Sequence, residues 1–101
     1  MSPSVQNCDE ALRVLRDTLP RLAPYGVRSL ALFGSFARGE ADPTSDVDIL
    51  IDFETTPRFA EWLDVRDILA DALGRSVDLV MRTALKPRME AELAREMLRV
   101  A

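Results

Sequence analysis

Two carboxylates two residues apart, Asp46 and Asp48, have the type and the spacing for chemistry. They lie in the largely apolar run DVDILIDF, residues 46–53. In a strand, side chains two residues apart point to the same face. Two ionised carboxylates held there repel each other unless a cation lies between them. Oxygen ligands suit Mg²⁺ or Mn²⁺, and two such ions can hold the attacking and leaving oxygens of a phosphoryl group in line.

A glycine and a serine form a candidate phosphate site before this pair. Gly34 and Ser35 follow a predicted strand and precede a predicted short helix. Glycine lets the backbone turn sharply and lets a phosphate come close, and a helix start offers free N–H groups. Arg38 lies one turn further on and can present a charged fork to phosphate oxygens. These three residues are therefore predicted to bind phosphate.

A third acid, Asp78, lies between Val77 and Leu79 in another short apolar run. A neighbouring strand would bring its carboxylate beside Asp46 and Asp48. It would then complete the metal site, and it could accept a proton from an attacking hydroxyl.

Each of these features also has an ordinary structural interpretation. An isolated Asp-x-Asp is usually a solvated strand edge, and an isolated Gly-Ser is usually a turn. Asp52, two residues past Asp48, is interpreted as wet surface. The conjunction of Gly-Ser, Asp-x-Asp and a later strand Asp in suitable elements is what favours a catalytic site.

Four helices and three strands are predicted to position these residues. The first helix is capped by Asp9 and is either kinked or ended by Pro20. A short helix is predicted over residues 36–40, and strands over residues 27–33, 46–53 and 76–81. In the second strand, one predicted face carries Val47, Ile49, Ile51 and Phe53, and the other carries Asp46, Asp48, Leu50 and Asp52.

The remaining two helices are predicted from caps and apolar spacing. One starts at Thr56 and Pro57 and ends at Gly74. Its predicted buried stripe is Phe59, Trp62, Val65, Leu69 and Leu73. The last starts near Pro87 and carries Met89, Leu93 and Met97 at intervals of four. This order predicts an α/β (α+β) fold, a small mixed sheet of at least three strands with helices packed on it.

Length and composition limit the classes of protein. The 101 residues predict one domain over 1–101, with residues 1–8 as a loose leader. The absence of histidine removes the usual general base and the histidine-containing zinc sites. A net charge of −4 argues against direct nucleic-acid binding, which needs a basic face.

The expected location is the cytoplasm. The single cysteine, Cys8, cannot form an intrachain disulfide, which suits a reducing compartment. There is no apolar core of a signal peptide, and no apolar run approaches the ~20 residues that span a bilayer. No membrane partner is expected.

The stretch LFGSFARGEADPTSDVDILIDF, residues 32–53, resembles the catalytic motif of DNA polymerase beta-type nucleotidyltransferases. That pattern is Gly-Ser, a spacer, Asp-x-Asp and a third carboxylate on a later strand. The matching residues are Gly34, Ser35, Asp46, Asp48 and Asp78. Within the superfamily, this stretch and GRSVDLVMRTALKP, residues 74–87, are similar to the minimal nucleotidyltransferases, the MNT proteins. Arg38 also matches their Gly-Ser-x-x-Arg-Gly pattern.

The resemblance implies a polymerase beta-type nucleotidyltransferase fold and a Mg²⁺-dependent transfer of AMP from ATP to a hydroxyl. It also implies a partner, because short MNT proteins are often encoded beside a HEPN-domain ribonuclease toxin and act as its antitoxin. The acceptor would then be a tyrosine of that toxin. Since this chain has no second domain for an acceptor, the acceptor is expected to come from another chain.

Two rival hypotheses remain open from the sequence. In the first, the antitoxin neutralises its toxin by binding alone, with a secondary or vestigial acid site. In the second, another subunit completes a transferase for a small molecule or an RNA end, although the acidic charge disfavours RNA.

Overall fold

The computed structural model describes residues 4–42 and 44–100. The helices are α1 (Cys8–Leu22), α2 (Gly34–Arg38), α3 (Phe59–Leu73) and α4 (Pro87–Leu93). The strands are β1 (Val27–Phe33), β2 (Val47–Phe53), β3 (Val77–Met81) and β4 (Leu98–Arg99). Within the described residues, none of the helices has both the length and the apolar character needed to cross a membrane.

The four strands form one mixed sheet in the order β3-β2-β1-β4. β1 is antiparallel to both β2 and β4, while β2 and β3 are parallel. The prediction of a small mixed sheet with helices is therefore confirmed. β4 is an addition that the sequence did not signal, because two exposed residues carry no readable period.

One face of the sheet makes the core. Val47, Ile49 and Ile51 of β2 are fully buried, together with Leu69 and Leu73 of α3. The alternation of β2 places Asp48 and Asp52 on the other face. Leu50, which shares that second face, is only 4% exposed. The face that carries Asp48 and Asp52 is therefore buried at Leu50 and partly exposed at Asp48.

The starts of α1 and α3 differ from the predicted ones. Asn7, and not Asp9, caps α1, because its Oδ1 accepts a hydrogen bond from Glu10 N at 2.9 Å. Of the two outcomes predicted at Pro20, the helix end does not occur, since α1 runs on to Leu22 before a short 3₁₀ turn.

The start of α3 lies two residues later than predicted. Arg58 is its N-cap instead of Thr56, and Arg58 N donates to Glu61 Oε1 at 2.9 Å. Phe59, predicted to be buried, is 74% exposed and is a correction. It is the first residue of the helix and lies beyond the edge of the core, whereas Trp62, one turn later, packs against Phe53.

The C-terminal segment is also rearranged relative to the prediction. α4 ends at Leu93, so Met97 lies outside it, and Met89 is 49% exposed. Because β3 and β4 lie at opposite edges of the sheet, residues 82–97 run from one edge to the other. This crossing brings Glu96 close to α2.

The predicted loose leader is partly packed. Val5 is 2% exposed, belongs to the core, and its N–H donates to Leu73 O at 3.0 Å. The leader prediction is therefore wrong for this residue. Residues 1–3 lie outside the described part of the chain. The assignment of residues 1–101 to a single domain stays a prediction.

Candidate active site

Asp48 and Asp78 face each other on neighbouring strands. They are direct register partners in the parallel pair of β2 and β3, so their side chains point to the same face of the sheet. The structure thus brings together two acids that are separated by thirty positions in the printed sequence.

The environment of Asp48 works against its ionisation. Partial burial raises the pKa of this carboxyl, and the negative charges of Asp78 and Asp46 raise it further. The positive charge of Arg38 opposes the rise. A cation between the acids would relieve the same repulsion.

Asp46 lies one residue before β2 and is exposed. Its negative charge acts on Asp48. In residues 4–42 and 44–100, no group of three or more His, Cys, Asp or Glu side chains already has the geometry of a metal site. The carboxylate oxygens of Asp46, Asp48 and Asp78 nevertheless suit Mg²⁺ or Mn²⁺.

Gly34 lies directly against Asp48. Phe33, the last residue of β1, is the register partner of Asp48, and the chain turns immediately after it. Gly34 makes that turn with φ +72°, and a Cβ placed on it would lie 2.8 Å from Asp48 Cγ. Only glycine has both the backbone freedom and the absent side chain that this approach requires.

Ser35 follows in the first turn of α2, which begins at Gly34 and ends at Arg38. The helix was predicted over residues 36–40, so it starts two residues early. Gly34 and Ser35 therefore belong to the helix itself, where the first N–H groups have no partner within the helix. Ser35 is half-buried.

Arg38 is exposed and is held by acidic neighbours. Its Nη1 lies 3.3 Å from Glu96 Oε1, and its Nε lies 3.4 Å from Glu40 Oε1. Glu96 lies three residues beyond the end of α4. No sequence signal could have found this contact, because Glu96 reaches Arg38 only after residues 82–97 have crossed the sheet.

The comparisons with known proteins agree on one family. The nucleotidyltransferase domain family matches residues 12–100. The protein adenylyltransferase MntA of Thermococcus cleftensis is 43% identical over 76 residues, which are 75% of this chain and 77% of that protein.

Solved structures give the same result. One provisionally described as a minimal nucleotidyltransferase has 34% identity and a TM-score of 0.79, covering 95% of this chain and 98% of that one. The Shewanella oneidensis complex of a tri-AMPylated HEPN toxin with its MNT antitoxin contains a chain of the same fold. That chain has 22% identity and a TM-score of 0.59, with 94% of this chain and 69% of that chain covered.

The predicted polymerase beta-type nucleotidyltransferase fold is confirmed by these neighbours. The match over residues 12–100 includes all of the strands and the whole Gly-Ser and Asp-x-Asp stretch. The chain therefore belongs to the nucleotidyltransferase domain family and, within it, to the minimal nucleotidyltransferases.

Proposed function

We propose that this nucleotidyltransferase moves AMP from ATP to a hydroxyl, a tyrosine of a partner HEPN-type toxin, and thereby acts as the antitoxin of that toxin. The observation that carries the proposal is the pairing of Asp48 with Asp78 beside Gly34. The name of the Thermococcus cleftensis relative, protein adenylyltransferase MntA, supports AMP transfer to a protein.

The phosphates of ATP would lie against Gly34 and Ser35. The free N–H groups at the start of α2 and the Ser35 hydroxyl are suitable donors for phosphate oxygens. Arg38 would add a positive charge from the last turn of the same helix. Its side chain, now held by Glu40 and Glu96, would turn towards the phosphates.

Asp46, Asp48 and Asp78 would hold two Mg²⁺, with Mn²⁺ as an alternative. Bound metal would supply charge neutralisation on the phosphates and in-line placement of the attacking and leaving oxygens. Preorganised charge and positioning would account for most of the rate.

Asp78 is the acid that an acceptor can reach. β3 is an edge strand of the sheet, and Asp78 is exposed on it. A hydroxyl presented by another protein could therefore approach this carboxylate from outside. A carboxylate oxygen of Asp78 would accept the hydroxyl proton as that oxygen attacks the α-phosphate and pyrophosphate leaves.

A HEPN-domain partner is supported by the fold neighbour that contains a HEPN toxin with its MNT antitoxin. The adduct in that complex is named as AMP on the toxin, in agreement with a protein acceptor. Cytoplasmic location and the lack of direct nucleic-acid binding stay predictions from composition.

The test is incubation of the protein with a HEPN partner, ATP and Mg²⁺, followed by intact-mass measurement of the partner. The expected result is the addition of one or more AMP units. The double variant Asp46→Ala and Asp48→Ala should abolish the addition while its circular dichroism stays unchanged. An unmodified partner after incubation with the wild-type protein would remove the proposal.

Neutralisation by binding alone is the second candidate. It is favoured by one observation, the engagement of Arg38 by Glu96. The same double variant separates the candidates in cells. If it still protects cells from the toxin, binding is sufficient, and if protection is lost while the complex still forms, catalysis is required.

A further inference from the structure

Arg75 joins three segments of the chain through one guanidinium. It lies between α3 and β3 and is half-buried. Its Nε donates to Val5 O at 2.7 Å, and its Nη1 donates to Asp42 O at 2.9 Å and Ser45 O at 3.0 Å. The same guanidinium lies over the ring of Phe36, 4.9 Å from its centroid.

The partners of Arg75 adjoin the residues of the candidate active site. Ser45 directly precedes Asp46, and Phe36 directly follows Ser35 in α2. Arg75 itself is three residues before Asp78. The Arg75 side chain therefore contacts the residue before Asp46 and the residue after Ser35, while the hydrogen bonds of its guanidinium go to backbone carbonyls and not to the three acids.

Arg75 ties the loop before Asp46 to the segment that joins α3 and β3. Within the loop, Ser45 N donates to Asp42 O at 3.1 Å, and Thr44 N donates to Asp42 Oδ1 at 2.8 Å. These bonds close the loop on itself but do not fasten it to the body of the protein. The two bonds from Arg75 Nη1 do so, next to the point where Val47 N donates to Ser76 O at 2.9 Å and the strand begins.

The guanidinium has the shape that this task needs. Its donors are fixed in a plane, so two carbonyls can be bound on one side while the flat face packs on an aromatic ring. A lysine ammonium is a point charge that cannot reproduce both the fork and the stacking. Phe36 is 1% exposed, so the surface on which Arg75 rests is part of the rigid core.

We propose that Arg75 is a positioning residue: by binding the carbonyls of Asp42 and Ser45, it holds Asp46 where this carboxylate can join Asp48 and Asp78 around a divalent cation. The role rests on the proposed function only in its assignment of these acids as metal ligands. A purely structural role, in which Arg75 anchors Val5 to the core, makes a different prediction. Under that structural role, removing the Arg75 side chain lowers the melting temperature without changing the metal affinity.

The experiment compares Arg75→Lys and Arg75→Ala with the wild-type protein and with Arg66→Ala. Arg66 is an exposed arginine on α3 whose ion pair is with its neighbour Asp67 at 3.6 Å. Mn²⁺ binding is measured by electron paramagnetic resonance of the free ion. Amide hydrogen exchange of residues 44–47 is followed alongside, and melting temperature reports folding.

The expected result is a ~10–100-fold weaker Mn²⁺ affinity in Arg75→Ala, the range found when partners behind metal ligands are removed. A smaller loss is expected in Arg75→Lys, with faster exchange confined to residues 44–47. Arg66→Ala should match the wild type in both measurements. If Arg75→Ala does not fold, Arg75→Lys alone decides.

A folded Arg75→Lys or Arg75→Ala with wild-type Mn²⁺ affinity and wild-type loop exchange would overturn the proposal. Failure of the wild-type protein to transfer AMP would overturn the proposed function instead. The conclusions about Arg75 from Mn²⁺ affinity and amide exchange would still hold. Absence of Mn²⁺ binding by the wild-type protein would overturn the metal site and the role of Arg75 together.

Discussion

The Asp48 side chain occupies the space that a side chain at position 34 would fill, and Gly34 leaves this space free. A Cβ on Gly34 would lie 2.8 Å from Asp48 Cγ and 3.1 Å from Asp48 Cβ. Because Asp48 lies on a central strand, its backbone cannot move away. A side chain at position 34 would therefore displace the carboxylate.

Gly34→Ala should lower AMP transfer by about 10²-fold, the loss expected when a catalytic group is misplaced by about 1 Å. Its matched control is Gly26→Ala, since Gly26 has φ +74° but nothing within 4 Å of its Cβ position. Both variants carry the strain of a positive φ and should lose thermal stability for that reason, but only Gly34→Ala adds the contact with Asp48. Equal transfer rates in the two variants would contradict the steric explanation.

Asp48→Asn should stabilise the metal-free protein at neutral pH. The pKa of Asp48 is raised in the folded state, so the folded protein binds this proton more tightly than the unfolded chain does. The contribution of Asp48 to the free energy of unfolding is therefore full at acid pH and is lost as the pH rises through the raised pKa.

Asparagine carries no charge, so the variant should melt a few degrees above the wild type at pH 7 in the presence of EDTA. The gain should shrink towards pH 4. Asp52→Asn, on the same face of β2, supplies the control. A gain that is as large at pH 4 as at pH 7 would show that charge repulsion is not the cause.

Asp78→Asn should reduce AMP transfer by at least ~10²-fold through the loss of both a metal ligand and a proton acceptor. Asp52→Asn should keep a rate close to that of the wild type, because Asp52 pairs with Ser29 and lies four residues further along β2 than Asp48. Initial rates at saturating ATP and Mg²⁺ make the comparison. Near-normal activity of Asp78→Asn would refute its assignment to the site.

Arg38→Ala should lower kcat/KM for ATP by about 10–100-fold, since it removes a charged donor to phosphate. Glu96→Gln weakens the ion pair of Arg38 with the C-terminal segment but leaves the guanidinium in place. It should keep or improve the KM for ATP. If Glu96→Gln instead reproduces the defect of Arg38→Ala, Arg38 acts by holding the C-terminal segment and not by binding nucleotide.

Much of the fold could be read from local patterns. The alternation of β2 correctly separated Ile49 and Ile51 from Asp48, because the side-chain period of a strand is a property of neighbouring residues. The predicted starts of the helices were less accurate. Arg58 caps α3 by a hydrogen bond to Glu61, and no preference for Thr56 as a cap could reveal that competing bond.

Surface contacts escaped prediction for a different reason. Phe59 has the spacing of a buried residue, but burial depends on where the core ends. Glu96 and Arg75 look like ordinary surface charges in the sequence. The partner of Glu96 is 58 positions away, and the hydrogen-bond partners of Arg75 are 30 to 70 positions away. Local periodicity carries no information about such distant pairs.

The sequence by itself determined the chemistry of the candidate site, because Gly34, Ser35, Asp46 and Asp48 lie within one short stretch whose spacing implies their arrangement. The tertiary structure alone decided that Asp78 stands opposite Asp48 and that Arg75 fastens the loop before Asp46. Both outcomes depend on the parallel pairing of β2 and β3 and on its register. A slip of one residue would turn Asp78 to the opposite face, and only the packed core prevents that slip.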